Sequence, residues 1–283
     1  MTTLPTEQIR NIVRAALAED VGAGDITTDC AVPARLRAEA VIVAKEPCVV
    51  AGLALVEAVF AELDRDIAVK RLVEDGDVAE VGQRVCLISG RARPILTGER
   101  TALNFLQRLS GIATLTRQFV EAVAGTKAKI LDTRKTTPTL RALEKYAVAV
   151  GGGENHRMGL FDAVMIKDNH RALLSRLSDV VAAARKNHPQ APVIIEADTL
   201  EQTEEALAAG ADQILLDNMT PDELREAVRL VAGRAQTEAS GGIRLSNVRE
   251  IAATGVDYIS IGALTHSARA ANFSLEVFGQ PTP

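Results

Sequence analysis

From Lys129 onward the chain repeats one pattern: a short apolar run, then a charged or glycine-rich residue, then a stretch with helical spacing. The runs are Ile130-Leu131, Ala163-Val164-Met165-Ile166, Val193-Ile194-Ile195, Ile214-Leu215-Leu216, Thr237 to Ala239 and Tyr258-Ile259-Ser260-Ile261. Helical patterns over 172–186, 200–209, 221–231 and 245–253 lie between them. Repeated β-then-α units imply parallel strands buried on both faces, with helices packed outside. Six visible units suit a barrel better than an open sheet, but fall short of a complete eight-stranded barrel. The expected fold class is therefore α/β, with an incomplete (β/α) barrel of about six or seven parallel strands over residues 111–269.

The first part of the chain has a different texture. Residues 5–19 predict a helix, with Pro5 at its start and Gly22, Gly24 and Asp25 ending it. Between Ala38 and Gly90, β-branched runs alternate with turns at Glu74-Asp75-Gly76-Asp77, Val81-Gly82-Gln83 and Ser89-Gly90, which predicts antiparallel hairpins with one helix around Phe60. A similar turn pattern occurs in carrier domains for biotin or lipoate, but no Lys sits in this hairpin, so it reads as a structural sandwich. A long helix is predicted from about Gly98 to Val123. Residues 1–110 thus read as an N-terminal α+β sandwich domain, and the tail 270–283 is expected to pack back on it.

Composition narrows the function classes. With 32 Lys and Arg against 37 Asp and Glu, the net charge of −5 argues against nucleic acid or a membrane surface as partner. No apolar run reaches the ~18–20 residues that span a bilayer. Met1 to Arg10 lacks the charged and apolar regions of a signal peptide, so a cytoplasmic protein is expected. Cys30, Cys48 and Cys86 show neither a CxxC nor a Cys–His spacing and predict three buried thiols.

In such barrels the active site lies at the C-terminal strand ends. There the sequence places Asp132-Thr133-Arg134-Lys135, then Lys167-Asp168-Asn169-His170, then Glu196, then Asp217-Asn218, then Ser240-Gly241-Gly242, and finally Gly262. The charges divide by kind. Arg134, Lys135 and Lys167, with His156 and Arg157 from an intervening loop, make a cationic cluster suited to an acid substrate. Glu196 and Asp217 suit a hard cation such as Mg²⁺ that bridges to a substrate phosphate. Glycine-rich turns before helix N-termini can cradle a phosphate, or can simply be tight turns. Gly151-Gly152-Gly153 reads as a lid or a helix stop. His170, His188 and His266 have no metal-ligand spacing, and only His266 follows a phosphate-type turn.

These motifs resemble the quinolinate phosphoribosyltransferase family (nicotinate-nucleotide pyrophosphorylase, carboxylating). The likeness rests on Asp132-Thr133-Arg134-Lys135-Thr136-Thr137-Pro138, Gly151-Gly152-Gly153 with Asn155-His156-Arg157, Lys167-Asp168-Asn169-His170, Leu216-Asp217-Asn218-Met219, Glu238-Ala239-Ser240-Gly241-Gly242-Ile243 and Ser260-Ile261-Gly262-Ala263-Leu264-Thr265-His266. Asp25-Ile26-Thr27-Thr28 and Gly98-Glu99-Arg100 extend it upstream, so it covers about residues 20–275. The resemblance implies transfer of phosphoribose from phosphoribosyl pyrophosphate to quinolinate with decarboxylation, giving nicotinate mononucleotide, pyrophosphate and CO₂ with Mg²⁺ as cofactor, in NAD biosynthesis. It further implies a homodimer, with a higher homo-oligomer left open, in which Arg100 reaches the partner's site. Carried over by position, Arg100, Arg134, His156, Arg157 and Lys167 would line the quinolinate site, and Lys135, Glu196 and Asp217 would be catalytic. The phosphoribosyl pyrophosphate site would comprise Lys135, Glu196, Asp217, Ser240, Gly241, Gly242, Gly262 and His266, with Mg²⁺ held by Glu196 and Asp217, directly or through water. Three positions depart from the family pattern: Glu154 adds an anion before Asn155, Ile194 stands where another acid is common, and Thr139 replaces a frequent glycine. Rival readings are a related enzyme of the same fold acting on another acid or base, a barrel aldolase using Lys167 as a Schiff base, and an inactive scaffold.

Overall fold

The structure is a computed structural model that describes residues 4–173 and 176–278. Residues 174–175, inside the expected 172–186 helix, and 279–283, in the expected tail, lie outside the described residues. The strands are β1 (Arg37–Ala44), β2 (Cys48–Val49), β3 (Ala68–Arg71), β4 (Val78–Ala79), β5 (Arg84–Arg91), β6 (Lys129–Leu131), β7 (Val164–Ile166), β8 (Val193–Ala197), β9 (Gln213–Asp217), β10 (Gln236–Ser240), β11 (Tyr258–Ser260) and β12 (Phe273–Phe278). The chain divides into two compact units, one of residues 1–115, 138–152 and 267–283, the other of 116–137 and 153–266. The helix Arg141–Val150, within the span assigned from sequence to the barrel, therefore groups with the first unit.

In the first unit, β12, β1, β5 and β3 form a four-stranded sheet in that order, and β2 pairs with β4. All the pairings are antiparallel. The helix Thr6–Val21 buries Ile9, Val13 and Leu17 at helical spacing, as its pattern predicts. The long helix runs Ala92–Ala122, starting six residues before Gly98. Gly98 is a point of close approach rather than a helix start: a Cβ there would lie 2.8 Å from Leu63 Cδ1 and 3.0 Å from Phe60 Cε1. Gly111, on the same helix, lets the C-terminal segment dock, since a Cβ would meet the Arg269 carbonyl oxygen at 1.9 Å. Ala271 N–H then donates to Gln107 O (2.9 Å), and Gln107 Nε2 donates to Phe273 O (3.0 Å), leading the chain into β12 beside β1. Gly152, at φ 95°, ends the helix Arg141–Val150, which makes the glycine run a helix stop.

The thiols need one correction. Cys48 and Cys86 are buried, and burial pushes them up to about 11 and about 12, but Cys30 is exposed. It sits on the short helix Ile26–Ala31, whose one buried residue is Thr28.

In the second unit, six strands form one parallel sheet in the order β6-β11-β10-β9-β8-β7. Its centre is buried on both faces: every residue of β8 is buried. Ala163, Ile194 and Leu215 pack together with Met165 against them. The non-acidic Ile194 therefore belongs to an apolar layer inside the sheet. The free edge of β6 is covered by a single bridge, Leu131 to Glu154, with Glu154 N–H donating to Ile130 O (2.8 Å) and Asp132 N–H to Glu154 O (3.2 Å). The Glu154 side chain pairs with Lys129 at 2.7 Å, which neutralises the extra anion. Among the described residues, no helix is long and apolar enough to cross a membrane.

Candidate active site

The C-terminal ends of the six parallel strands, with the loop that holds His156 and Arg157, carry the residues nominated from sequence other than Arg100. A cavity of about 250 Å³ opens among them, lined by Arg134, Lys135, His156, Arg157, Lys167, Asp217, Glu238 and Ser240, with Met165 and Leu215 among its apolar wall. A larger groove of about 650 Å³ lies along the helices Thr6–Val21 and Leu53–Leu63 of the first unit and holds none of the nominated residues. Arg100 is exposed on the long helix and does not line the 250 Å³ cavity.

Asp132 organises the cationic side. It is fully buried at the end of β6; its Oδ2 accepts Asn155 Nδ2 (2.7 Å) and its Oδ1 accepts His156 N–H (2.8 Å). The loop is thereby fixed so that His156 and Arg157 enter the cavity. His156 Nδ1 accepts the Arg157 N–H (2.7 Å), and Nε2 lies 3.3 Å from Glu238 Oε2. Glu238 is fully buried on β10 and also accepts from Gln213 Nε2. Arg157 is held below the ordinary arginine value by burial and then by the charge of Arg134, with Asp162 opposing. The Nε atoms of both Arg134 and Arg157 are buried without a hydrogen-bond acceptor. Buried donors of this kind are uncommon and call for an anion.

The acidic side begins with Glu196, the buried carboxylate near the end of β8. It accepts Lys167 Nζ and the Asp168 N–H (3.2 Å), so Lys167 is tied to the next strand end. His170 takes a structural part: its Nδ1 accepts the Lys167 N–H (3.0 Å) in the first turn after β7. Asp198 is raised by burial and then by the charges of Asp217, Glu196 and Asp168, with Arg171 opposing. The charges of Asp217, Glu196 and Asp168 thus act against that of Asp198, a repulsion that a divalent cation would relieve. No three His, Cys, Asp or Glu residues among those described form a closed metal cage. That donor set fits Mg²⁺, which keeps waters and shares its shell with substrate phosphates while one or two carboxylates hold it.

The glycine-rich side closes the site. Gly241 (φ 93°) and Gly242 (φ 62°) follow β10 in conformations that favour glycine. After β11, a Cβ on Gly262 would meet Lys135 Cδ at 2.9 Å and His266 Nε2 at 3.2 Å, so Lys135 lies across Gly262 beside His266. Thr265 Oγ1 donates to Lys135 O (2.7 Å) and anchors the short helix Ala263–His266 to the first strand end. His188 is exposed at the end of the helix Leu177–Asn187, away from these groups in sequence and partners. Asp132, Asp198 and Glu238 were not nominated. Asp132 and Glu238 stood inside quoted motifs, but their bonds to Asn155, His156 and Gln213 depend on long-range approach.

Comparisons with known proteins agree over nearly all of the chain. A family model described as quinolinate phosphoribosyl transferase, N-terminal domain, matches residues 25–110, and its C-terminal domain counterpart matches residues 112–276. A nicotinate-nucleotide pyrophosphorylase [carboxylating] of Mycobacterium leprae is 46% identical over 274 residues, covering 95% of this chain and 96% of that one. A probable nicotinate-nucleotide pyrophosphorylase [carboxylating] of Bacillus subtilis is 43% identical over 272 residues, covering 95% and 93%. Among solved structures, the nicotinate-nucleotide pyrophosphorylase of Francisella tularensis superposes with TM-score 0.94 at 38% identity over 98% of both chains.

Proposed function

The chain belongs to the quinolinate phosphoribosyltransferase family, and from that premise we infer that it joins quinolinate to the phosphoribosyl group of phosphoribosyl pyrophosphate. The products are nicotinate mononucleotide, pyrophosphate and CO₂, and the reaction serves NAD biosynthesis. The observation that carries this reading is the pair of buried Nε donors on Arg134 and Arg157, without acceptors, in a cavity that also holds Lys135 and Lys167. Quinolinate brings two adjacent carboxylates to meet them. A charge-assisted hydrogen bond contributes about 1.5–3 kcal/mol. Nicotinate, with one carboxylate fewer, leaves donors unmet and is rejected.

In this reading Arg134, His156, Arg157 and Lys167 hold the diacid with its ring nitrogen toward the anomeric carbon. Arg100 of a second copy completes the cage, which makes the working enzyme a homodimer. Lys135 neutralises charge on the departing pyrophosphate, and Glu196 and Asp217 hold the ribose hydroxyls and stabilise positive charge at the anomeric carbon. Mg²⁺ adds Lewis-acid neutralisation of the pyrophosphate when bound by Glu196 and Asp217. The backbone of Ser240, Gly241, Gly242 and Gly262, with His266, receives the 5′-phosphate. Once joined to ribose, the ring nitrogen is positive and stabilises the electron pair that stays on C2 as the C–C bond breaks and CO₂ departs, and a proton from water then takes the carboxylate's place on C2. The aldolase alternative has less support, because Lys167 is bound to Glu196 rather than set among apolar groups. A cytoplasmic location remains part of this proposal, resting on the sequence alone.

The test is an assay with phosphoribosyl pyrophosphate and Mg²⁺ that follows CO₂ and nicotinate mononucleotide, with nicotinate as parallel substrate. Turnover of quinolinate alone is expected, and chelation of the metal should stop it. Turnover of nicotinate alone, or of neither acid, overturns the reading.

A further inference from the structure

One residue of the site has no part in the reading above. Asn218 directly follows Asp217, the last residue of β9, and it is exposed, so core packing does not account for it. Its backbone is left-handed, at φ 56°. Its N–H donates to Ser240 O (2.9 Å), extending the parallel ladder that aligns Asp217 with Ser240. Its side chain reaches in two directions. Nδ2 donates to Asp217 Oδ2 at 2.7 Å. The rest of the amide lies over Gly241, where a Cβ would fall 2.1 Å from Asn218 Oδ1 and 2.6 Å from its Cγ. One side chain therefore touches both the carboxylate at the end of β9 and the glycine turn at the end of β10.

We propose that Asn218 is a positioning residue for phosphoribosyl pyrophosphate, fixing the Asp217 carboxylate and the turn 240–242 at one spacing. The inference rests on the function proposed above, in which Asp217 meets the ribose hydroxyls and the turn meets the 5′-phosphate of the same ligand. Those groups are joined covalently in the substrate, so their receptors must keep a matching separation. A residue needed only for the left-handed turn would be served better by glycine. Glycine, however, supplies no amide to hold Asp217 and nothing to lie against Gly241. Aspartate keeps the shape but turns a donor toward Asp217 into a second anion.

Asn218→Gly therefore deletes the side chain while keeping the backbone conformation. The measurement is calorimetric binding of phosphoribosyl pyrophosphate with Mg²⁺ in saturating phthalate, the carbon isostere of quinolinate, which lacks the attacking nitrogen. Asn218→Gly is expected to weaken this binding at least ~10-fold, with phthalate affinity and melting temperature unchanged. Asn218→Asp is expected to weaken it further. Phosphoribosyl pyrophosphate affinity within twofold of native in either folded variant overturns the inference and leaves the proposed function standing. A native protein that binds no phosphoribosyl pyrophosphate under these conditions overturns both. Should the glycine variant fail to fold, the aspartate variant carries the same decision.

Discussion

Arg134 has its Nε buried without a hydrogen-bond partner, and Thr139 occupies a backbone region that β-branched residues avoid. Each leads to a prediction about one side chain. Arg134→Ala removes a cation proposed to pair with the substrate, so on that proposal kcat/KM for quinolinate should fall by about 10²-fold or more, as when a transition-state charge partner is lost. Steady-state assays check this, and near-native activity would refute the role. Thr139, at φ 70°, holds a conformation that costs a non-glycine residue roughly 1–2 kcal/mol. Thr139→Gly should raise stability by about 1 kcal/mol, less the entropy that glycine adds to the unfolded chain, as read from chemical denaturation. The sequence already marked position 139 as one where glycine is frequent, and the positive φ is the reason. The converging charges were legible because strand ends in barrel phase point to one mouth. Asp132 and Glu238 were not, because a buried carboxylate is assigned a task only when its donors are known, and those lie on other strands and loops.

At the scale of elements, the strands were easier to read than the helices. Five of the six parallel strands overlap continuous apolar runs, as strands buried on both faces need, whereas β10, with buried Thr237 and Glu238, was legible only from its place in the repeat. The long helix was placed six residues late because Gly98 resembles a boundary, whereas it marks contact with Phe60 and Leu63. Arg141–Val150 was passed over as a helix, although it buries Leu143, Ala147 and Val148 together with Glu144 and Lys145. The buried charges hid its apolar face; Glu144 is paired with Arg108 at 2.8 Å. Gly111 supplies the prediction at this scale. Its missing Cβ makes room for a backbone carbonyl, which cannot rotate aside as a side chain can. Gly111→Ala should therefore destabilise the protein by on the order of 3 kcal/mol, at the upper end for overpacking, and displace the segment leading into β12. Denaturant unfolding and amide exchange in β12 check both effects. An unchanged unfolding midpoint would refute it.

For the whole molecule, acid is the informative variable. Four aspartates are held below the ordinary value of 3.8: Asp25 by the Thr28 hydroxyl and N–H, Asp64 chiefly by Arg91, Asp212 chiefly by Arg185, and Asp257, against its burial, by Lys127 and Thr237. A carboxylate with a depressed folded pKa stabilises above its unfolded pKa, and that contribution disappears as pH falls through the folded value. Asp198, raised in the fold, works in the opposite sense and gains as pH falls. The four lowered aspartates outweigh the one raised, so the melting temperature should drop between about pH 5 and pH 2. Asp64→Asn should flatten that acid limb while lowering the melting temperature at neutral pH, as a pH series of melts can read. Family and fold class were both legible over about residues 20–275, because ordered motifs recur at most ends of the parallel strands. A second copy supplying Arg100 follows from the resemblance alone.

The two sheets share a property that bears on how the protein is made. In the first, β1 lies beside β12, and in the second, β6 lies beside β11, so each early strand waits for a partner far downstream. Between them, β7 to β11 each pair with the next in line and can add one at a time. A nascent chain on the ribosome thus carries β1 with an unmet edge for most of its synthesis, and β6 for a little under half of it. Pairings so distant along the chain close slowly and leave sticky intermediates exposed. Translation speed and chaperone supply, more than the stability of the finished fold, should then set how much of this protein a cell recovers.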